Sequence, residues 1–150
     1  MIISISSDHA GYDLKMQVVE HLKELGHEVI IEGATTGDTP FSYVEAGQAC
    51  SEDVISGKAE RGIVICGTGL GISMTANKYK GIRCALCTDE FMARMSRQHN
   101  NANMLAMGAR VIGKGLAFSI TDAFLNEAFA GGRHAERVND IIAQEEKFFK

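Results

Sequence analysis

Apolar residues along this chain fall into two alternating rhythms. Ile2 to Ser6, Val29 to Ile31, Ile63 to Ile65, Cys84 to Cys87 and Met104 to Met107 are short runs of the length expected for strands, and continuous runs of this kind suit strands covered on both faces. Between them, apolar side chains recur every three or four residues, as on one face of a helix. Leu14, Val18, Leu22 and Leu25 form such a face, stopped by Gly26. The period returns from about Val44 to Ser56, ended by Gly57, and from Ile72 to Tyr79, with Gly81 behind it. Asp89 is placed to cap a helix over Glu90 to Gln98. Leu116, Ile120, Phe124 and the Ala128/Phe129 edge predict a long helix running to Gly131-Gly132, and a last helix carries Val138, Ile141, Ile142 and Phe149.

Strands separated by helices predict an α/β fold, a three-layer α/β/α sandwich around a five-stranded parallel, Rossmann-like sheet. The last helix has little sheet left to cover, so its apolar residues predict burial against a partner subunit. At 150 residues the chain has the length of one domain, spanning residues 1–150. A net charge of −4 with no basic stripe argues against a nucleic-acid surface. The short apolar start at Met1 to Ser6 lacks a basic leader, and no apolar run approaches the roughly 18 residues of a membrane span. A cytoplasmic location is therefore expected, and Cys50, Cys66, Cys84 and Cys87 are expected to be reduced.

In parallel sheets ligands bind outside the carboxyl ends of the strands. Those ends carry Ser7 to Gly11, the Gly33 to Tyr43 loop, Cys66 to Gly71, Thr88-Asp89 and Gly108 to Arg110. The third is the most informative. Cys66 stands between an apolar strand and Gly67-Thr68-Gly69-Leu70-Gly71, where residues without a Cβ let backbone N–H groups converge on a small anion. A helix starting near Ile72 would add its positive end, a field that favours a thiolate. The third glycine comes one residue early for G-x-G-x-x-G and the motif does not follow the first strand, so a dinucleotide site is the poorer reading. Cys84-x-x-Cys87 lies in an apparent strand, where positions three apart face opposite sides, and reads as structural. The histidines at 9, 21, 27, 99 and 134 show no ligand-pair spacing, so no metal is expected, and His21 and His27 read as surface residues.

Arg133 and Arg137 lie four apart, share one helix face and suit a phosphate dianion, although the same spacing serves a solvated face. Asp8 and His9 can orient hydroxyls or bind an anion. His99-Asn100-Asn101 precedes the fifth strand and is expected to reach over the same edge as Cys66. A thiolate beside N–H donors serves as nucleophile or as general base, and a hydrolase stays open on these residues alone.

Together these motifs resemble the type B ribose-5-phosphate isomerase family, which includes galactose-6-phosphate isomerase subunits. The resemblance covers nearly the whole chain, through Ser7-Asp8-His9-Ala10-Gly11, Ile65 to Ser73, Ala76-Asn77-Lys78, Gly81-Ile82-Arg83, Ser96 to Asn100, Gly108 to Gly113 and Gly131-Gly132-Arg133-His134. It implies an aldose–ketose isomerase without cofactor, most simply for ribose 5-phosphate and ribulose 5-phosphate. By the same resemblance Cys66 is the base, Gly67, Thr68, Gly69, Leu70 and Gly71 hold the enediolate, and His99 assists ring opening; Thr68 joins Cys66 and His99 as a catalytic residue. Asp8, Tyr43 and Asn100 meet the sugar, while His9, Arg110, Arg133 and Arg137 take the phosphate. The last two come from a partner in a homodimer with shared sites, and such dimers can pair into a tetramer. After the second strand this chain has Ser42-Tyr43-Val44 where the family often has Asp-Tyr-Pro, a change at the mouth of the site that bears on which sugar phosphate is preferred. Some relatives use a glutamate as base; Cys66 and Thr75 place this chain with the cysteine branch.

Overall fold

A computed structural model describes residues Met1–Lys150. Its strands are β1 (Ile2–Ser7), β2 (Glu28–Gly33), β3 (Arg61–Cys66), β4 (Cys84–Leu86) and β5 (Met104–Gly108). Its helices are α1 (Tyr12–Glu24), α2 (Tyr43–Ile55), α3 (Leu70–Ala76), α4 (Glu90–Asn100), α5 (Lys114–Asn126) and α6 (Arg133–Phe148). Every strand pair is parallel, in the order β2-β1-β3-β5-β4. The chain leaves β1 for β2 on one side and returns to β3 on the other. This reversal opens a crevice at the carboxyl ends of β1 and β3, between Asp8 and Cys66.

The pleat sorts the strands into two cores. Ile3, Ile5, Ile63, Ile65, Leu105 and Met107 face α1 and α5 in a cluster of 18 buried residues. Val64, Cys66, Met104 and Ala106 face α2 and α3 in a cluster of 9. The second face is lean because β1 turns Ser4 and Ser6 towards it, and Ser4 meets its polar requirement by donating to Asp53 Oδ2 at 2.8 Å. Small residues also let α2 approach: a Cβ on Gly62 would stand 2.8 Å from Cys50 Sγ.

Several boundaries differ from the sequence expectation. Helix α3 begins at Leu70, directly after Gly69 (φ 81°), and ends at Ala76, leaving Tyr79 in the turn beyond. Helix α5 stops at Asn126; Ala128 and Phe129 lie outside it, because tertiary bonds to α4 hold the chain there extended. Cys87 lies just past β4, packed in the larger core, whereas Cys84 borders the smaller one, as opposite faces require. His21 is half-buried, its ring stacked on Phe118 at 4.3 Å and bonded to Asp122 Oδ1 at 2.7 Å. His27 is half-buried against the amino terminus. On α6 only Val138 is buried within the chain, while Ile141, Ile142 and Phe148 are exposed. No helix is long and apolar enough to cross a membrane.

Candidate active site

At the switch point lies a pocket of about 300 Å³ whose floor is the turn from β3 into α3. Cys66, 4% exposed, ends β3 with its Sγ accepting the Gly69 N–H at 3.2 Å. Thr68 Oγ1 accepts from Leu70 N–H at 3.2 Å, and the first intrahelical bond of α3 is Ser73 N–H to Gly69 O at 3.2 Å. The N–H groups of Gly71 and Ile72 precede that bond, so the helix leaves them without a partner. Ala109 N–H to Cys66 O and Arg110 N–H to Gly67 O, both 2.9 Å, tie the turn to the chain leaving β5. The approach is so close that a Cβ on Gly108 would stand 2.6 Å from the Thr68 carbonyl carbon.

The walls come from four other segments. Asp8 is buried and accepts the Gly11 N–H at 3.0 Å through Oδ1, a fixed turn that leaves Oδ2 for a ligand. Around His9, the Phe41 N–H donates to Nδ1 at 3.1 Å and the Phe41 carbonyl lies 3.3 Å from the same atom. The N–H serves the neutral ring and the carbonyl serves the cation, so Nε2 carries a hydrogen in either state. Tyr43 opens α2 and packs over Gly71, and the Arg110 guanidinium runs along Gly67. Burial pushes the Cys50 and Cys87 thiols up to about 12 and raises Cys84 as well.

Thus Asp8, His9, Tyr43, Cys66, Gly67, Thr68, Gly71 and Arg110 line one pocket, with Gly69 and Leu70 inside its turn. His99, Asn100, Arg133 and Arg137 do not. A crossover helix runs antiparallel to its strands, so α4 ends at the amino edge of the sheet, not at the edge that carries Cys66. Arg83, which precedes β4, donates from Nε to Asn100 O at 3.0 Å, and Gly62 at the start of β3 donates to Asn103 O at 3.0 Å. Asn100 there lines a separate, mainly apolar cavity of about 510 Å³ between α6 and β4. His99 stacks on His134, and Arg133 and Arg137 form a second polar hollow beside it. The expectation that His99 and Asn100 reach the Cys66 edge of their own chain is therefore corrected by the direction of α4. The ends of β5 alone are separated by about 15 Å at the usual strand rise.

Phe41, whose backbone orients His9, carries no signal in the side-chain pattern, whereas Gly108, named at the end of the fifth strand, turns out to admit Thr68. Lys15, which no pattern singles out, is fully buried and donates from Nζ to the Glu32 carbonyl at 2.9 Å and to the Ala34 carbonyl at the root of the Tyr43 loop. Ser42 was legible: Ser42-Tyr43-Val44-Glu45 has capping-box spacing, and Ser42 Oγ accepts from Val44 and Glu45 N–H, which sets the start of α2 at Tyr43.

A family model described as Ribose/Galactose Isomerase matches residues 3–141. Ribose-5-phosphate isomerase B of Clostridium thermocellum has a solved structure that is 52% identical, with a TM-score of 0.97 and 99% of each chain covered. Ribose-5-phosphate isomerase B of Escherichia coli is 44% identical over 146 residues, 97% of each chain. The galactose-6-phosphate isomerase subunit LacB of Clostridium acetobutylicum is 46% identical over 129 residues, 86% of this chain and 74% of that one. The chain belongs to the ribose/galactose isomerase family, and with it to the aldose–ketose isomerases of sugar phosphates.

Proposed function

We propose that this chain interconverts ribose 5-phosphate and ribulose 5-phosphate, with residues 1–150 as one catalytic unit and two chains sharing each active site. The observation that carries this reading is Cys66 Sγ, held by the Gly69 N–H at 3.2 Å on the floor of a polar pocket. The Cys66 thiolate takes the C2 proton of the open-chain aldose. The C–H electrons form the C1=C2 bond and the charge moves to O1, where the N–H groups at the start of α3 receive it. The O2 hydroxyl then loses its proton as O1 gains one, and the proton on sulfur returns to C1, leaving the ketose with no net change in atoms or charge. Thr68, through its hydroxyl and the turn it anchors, keeps those donors in place.

Asp8 Oδ2 and Tyr43 meet sugar hydroxyls, and His9 Nε2 and Arg110 meet the phosphate. His99 and Asn100 and the Arg133–Arg137 pair lie at the other end of their own sheet, so they serve the Cys66 pocket of a partner. The exposed Ile141 and Ile142 of α6 favour the same assembly. Thr75 Oγ1 donates to Gly71 O at 2.9 Å, which supports the thiol and not this position as the base. The similarity to LacB and the altered Ser42-Tyr43-Val44 loop favour one further reading, a preference for another four- to six-carbon sugar phosphate.

The test is a panel of aldose phosphates with ketose formation measured, together with solvent deuterium exchange at C2. Ribose 5-phosphate is expected to turn over fastest, and Cys66→Ser to lose exchange by about a thousandfold while still binding ligand. Persistent exchange in Cys66→Ser would assign the base elsewhere. A faster tetrose or hexose phosphate would reassign the substrate.

A further inference from the structure

His99 and His134 lie face to face, their ring centroids 4.1 Å apart and their planes 11° from parallel. His99 stands in the last turn of α4 and His134 in the first turn of α6, which the segment 127–132 connects to α5. That segment is fastened to residues beside His99: Arg97 Nε donates to Glu127 O at 3.3 Å, Ala130 N–H to Gln98 O at 3.0 Å, and Gln98 Nε2 to Glu127 Oε2 at 3.2 Å. Gly131 and Gly132, at φ 67° and 55°, then turn the chain so that α6 begins against the His99 ring. Hydrogen bonds to histidine rings within the chain belong to His9, His21 and His27. The stack is therefore the contact that sets the plane of His99.

Two imidazolium ions at this spacing would repel. Partial burial, then the charges of His99 and Arg133, hold His134 below the usual histidine range. Arg137 stands one turn further along α6 with Glu136 beside it, and Arg97 and Glu127 complete the nearby charges from α4 and the connecting segment.

We propose that His134 is a positioning residue for His99: its ring, stacked face to face on that of His99, fixes the plane of the imidazole that opens the sugar ring. This rests on the isomerase reading above. In that step the furanose C1–O4 bond breaks with its electron pair going to O4, which takes the proton from His99, while the C1 hydroxyl gives its proton to solvent water and its O–H electrons form the C1=O1 bond, so an open-chain aldehyde forms with its charge unchanged. His134 touches no substrate; it acts through the ring it stacks on.

Ribulose 5-phosphate separates the two steps, because its O5 carries the phosphate and it cannot close a five-membered ring. Exchange of its C1 proton with deuterated solvent reads proton transfer alone, whereas turnover of ribose 5-phosphate reads ring opening as well. His134→Ala is expected to lower kcat for ribose 5-phosphate by about tenfold with KM changed less than about twofold, while C1 exchange in ribulose 5-phosphate keeps its wild-type rate. His134→Phe, which stacks but cannot titrate, is expected to restore most of kcat. Adding His134→Ala to His99→Ala is expected to change nothing further. Equal losses in both assays, an unchanged kcat in His134→Ala, or no recovery in His134→Phe would overturn the assignment. Wild-type exchange with no loss in His99→Ala would instead remove the ring-opening role of His99, and absence of both activities in the wild type would remove the isomerase reading itself.

Discussion

Tyr43 packs on the bare backbone of Gly71, so closely that a Cβ at Gly71 would stand 2.6 Å from Tyr43 Cε1. The contact joins the first residue of α2 to the first turn of α3 and sets the ring at the mouth of the Cys66 pocket. Gly71 sits at helical dihedrals with its neighbours, so alanine suits its backbone, and only the half-exposed Tyr43 ring has to move. Gly71→Ala is expected to fold with stability within about 1 kcal/mol of wild type and to lose about tenfold or more in kcat/KM. Thermal melting and steady-state rates check this; a large loss of stability would show that the ring cannot yield.

Gly108 presents the opposite case, because the atoms a methyl would strike are the Thr68 backbone. Neither the end of β5 nor the turn after Cys66 can give way without breaking the bonds from Ala109 and Arg110 that join them. Gly108→Ala is expected to cost about 2–3 kcal/mol and to abolish activity with it. Gly115→Ala is the control, since nothing lies within 4 Å of its Cβ and α5 gains a better helix former. Denaturant midpoints of the two variants should move in opposite directions.

Much of this site was legible in the sequence for a simple reason. Cys66, Thr68 and the glycines are contiguous and follow an apolar run, so their place at a strand end follows from local pattern. Asp8, His9 and Arg110 follow by the same rule. His99 and Asn100 were misplaced because adjacency to β5 along the chain says nothing about which edge of the sheet they occupy; the direction of α4 decides it. The end of α5 was misjudged because Ala128 and Phe129 continue an apolar period, while the bonds from Arg97 and to Gln98 that stop the helix come from a distant segment. Phe41 acts on His9 through its backbone, which no side-chain pattern announces.

Lys15 gives a pH signature. Its ammonium is fully buried against two carbonyls, and burial lowers it to about 8, with the charge of Glu32 opposing. An unfolded lysine titrates near 10.4. Between about 8 and 10.4 the unfolded chain holds a proton that the folded chain has released, so the Lys15 contribution makes stability rise with pH across that window. Cys50 and Cys87, raised to about 12, act with the opposite sign above the usual thiol range, because their unfolded forms lose the proton first. The comparison of Lys15→Met with wild type removes the thiol terms, which both share. The stability gap between wild type and Lys15→Met is expected to widen from pH 8 to pH 10 in wild type's favour; a constant gap would mean that Lys15 keeps an ordinary affinity for its proton.

The last prediction concerns the opposite ends of the sheet. Cys66 lies at the carboxyl edge and the His99–Arg133–Arg137 group at the other, so a complete site needs two chains in the proposed dimer. Cys66→Ala removes the base from one end, and Arg137→Ala weakens phosphate binding at the other; each protein alone is expected to be nearly inactive. Mixed under conditions that exchange subunits, equal amounts form half of their dimers as hybrids. In each hybrid one site joins Cys66 of the arginine variant to Arg137 of the cysteine variant and is intact, while the other site carries both defects. Activity should therefore return to about a quarter of the wild-type sites. If each chain built its own site, every site would keep one defect and no activity would return on mixing. Exchange itself can be followed with a mass-tagged chain, so that absence of recovery with hybrids present refutes the shared site.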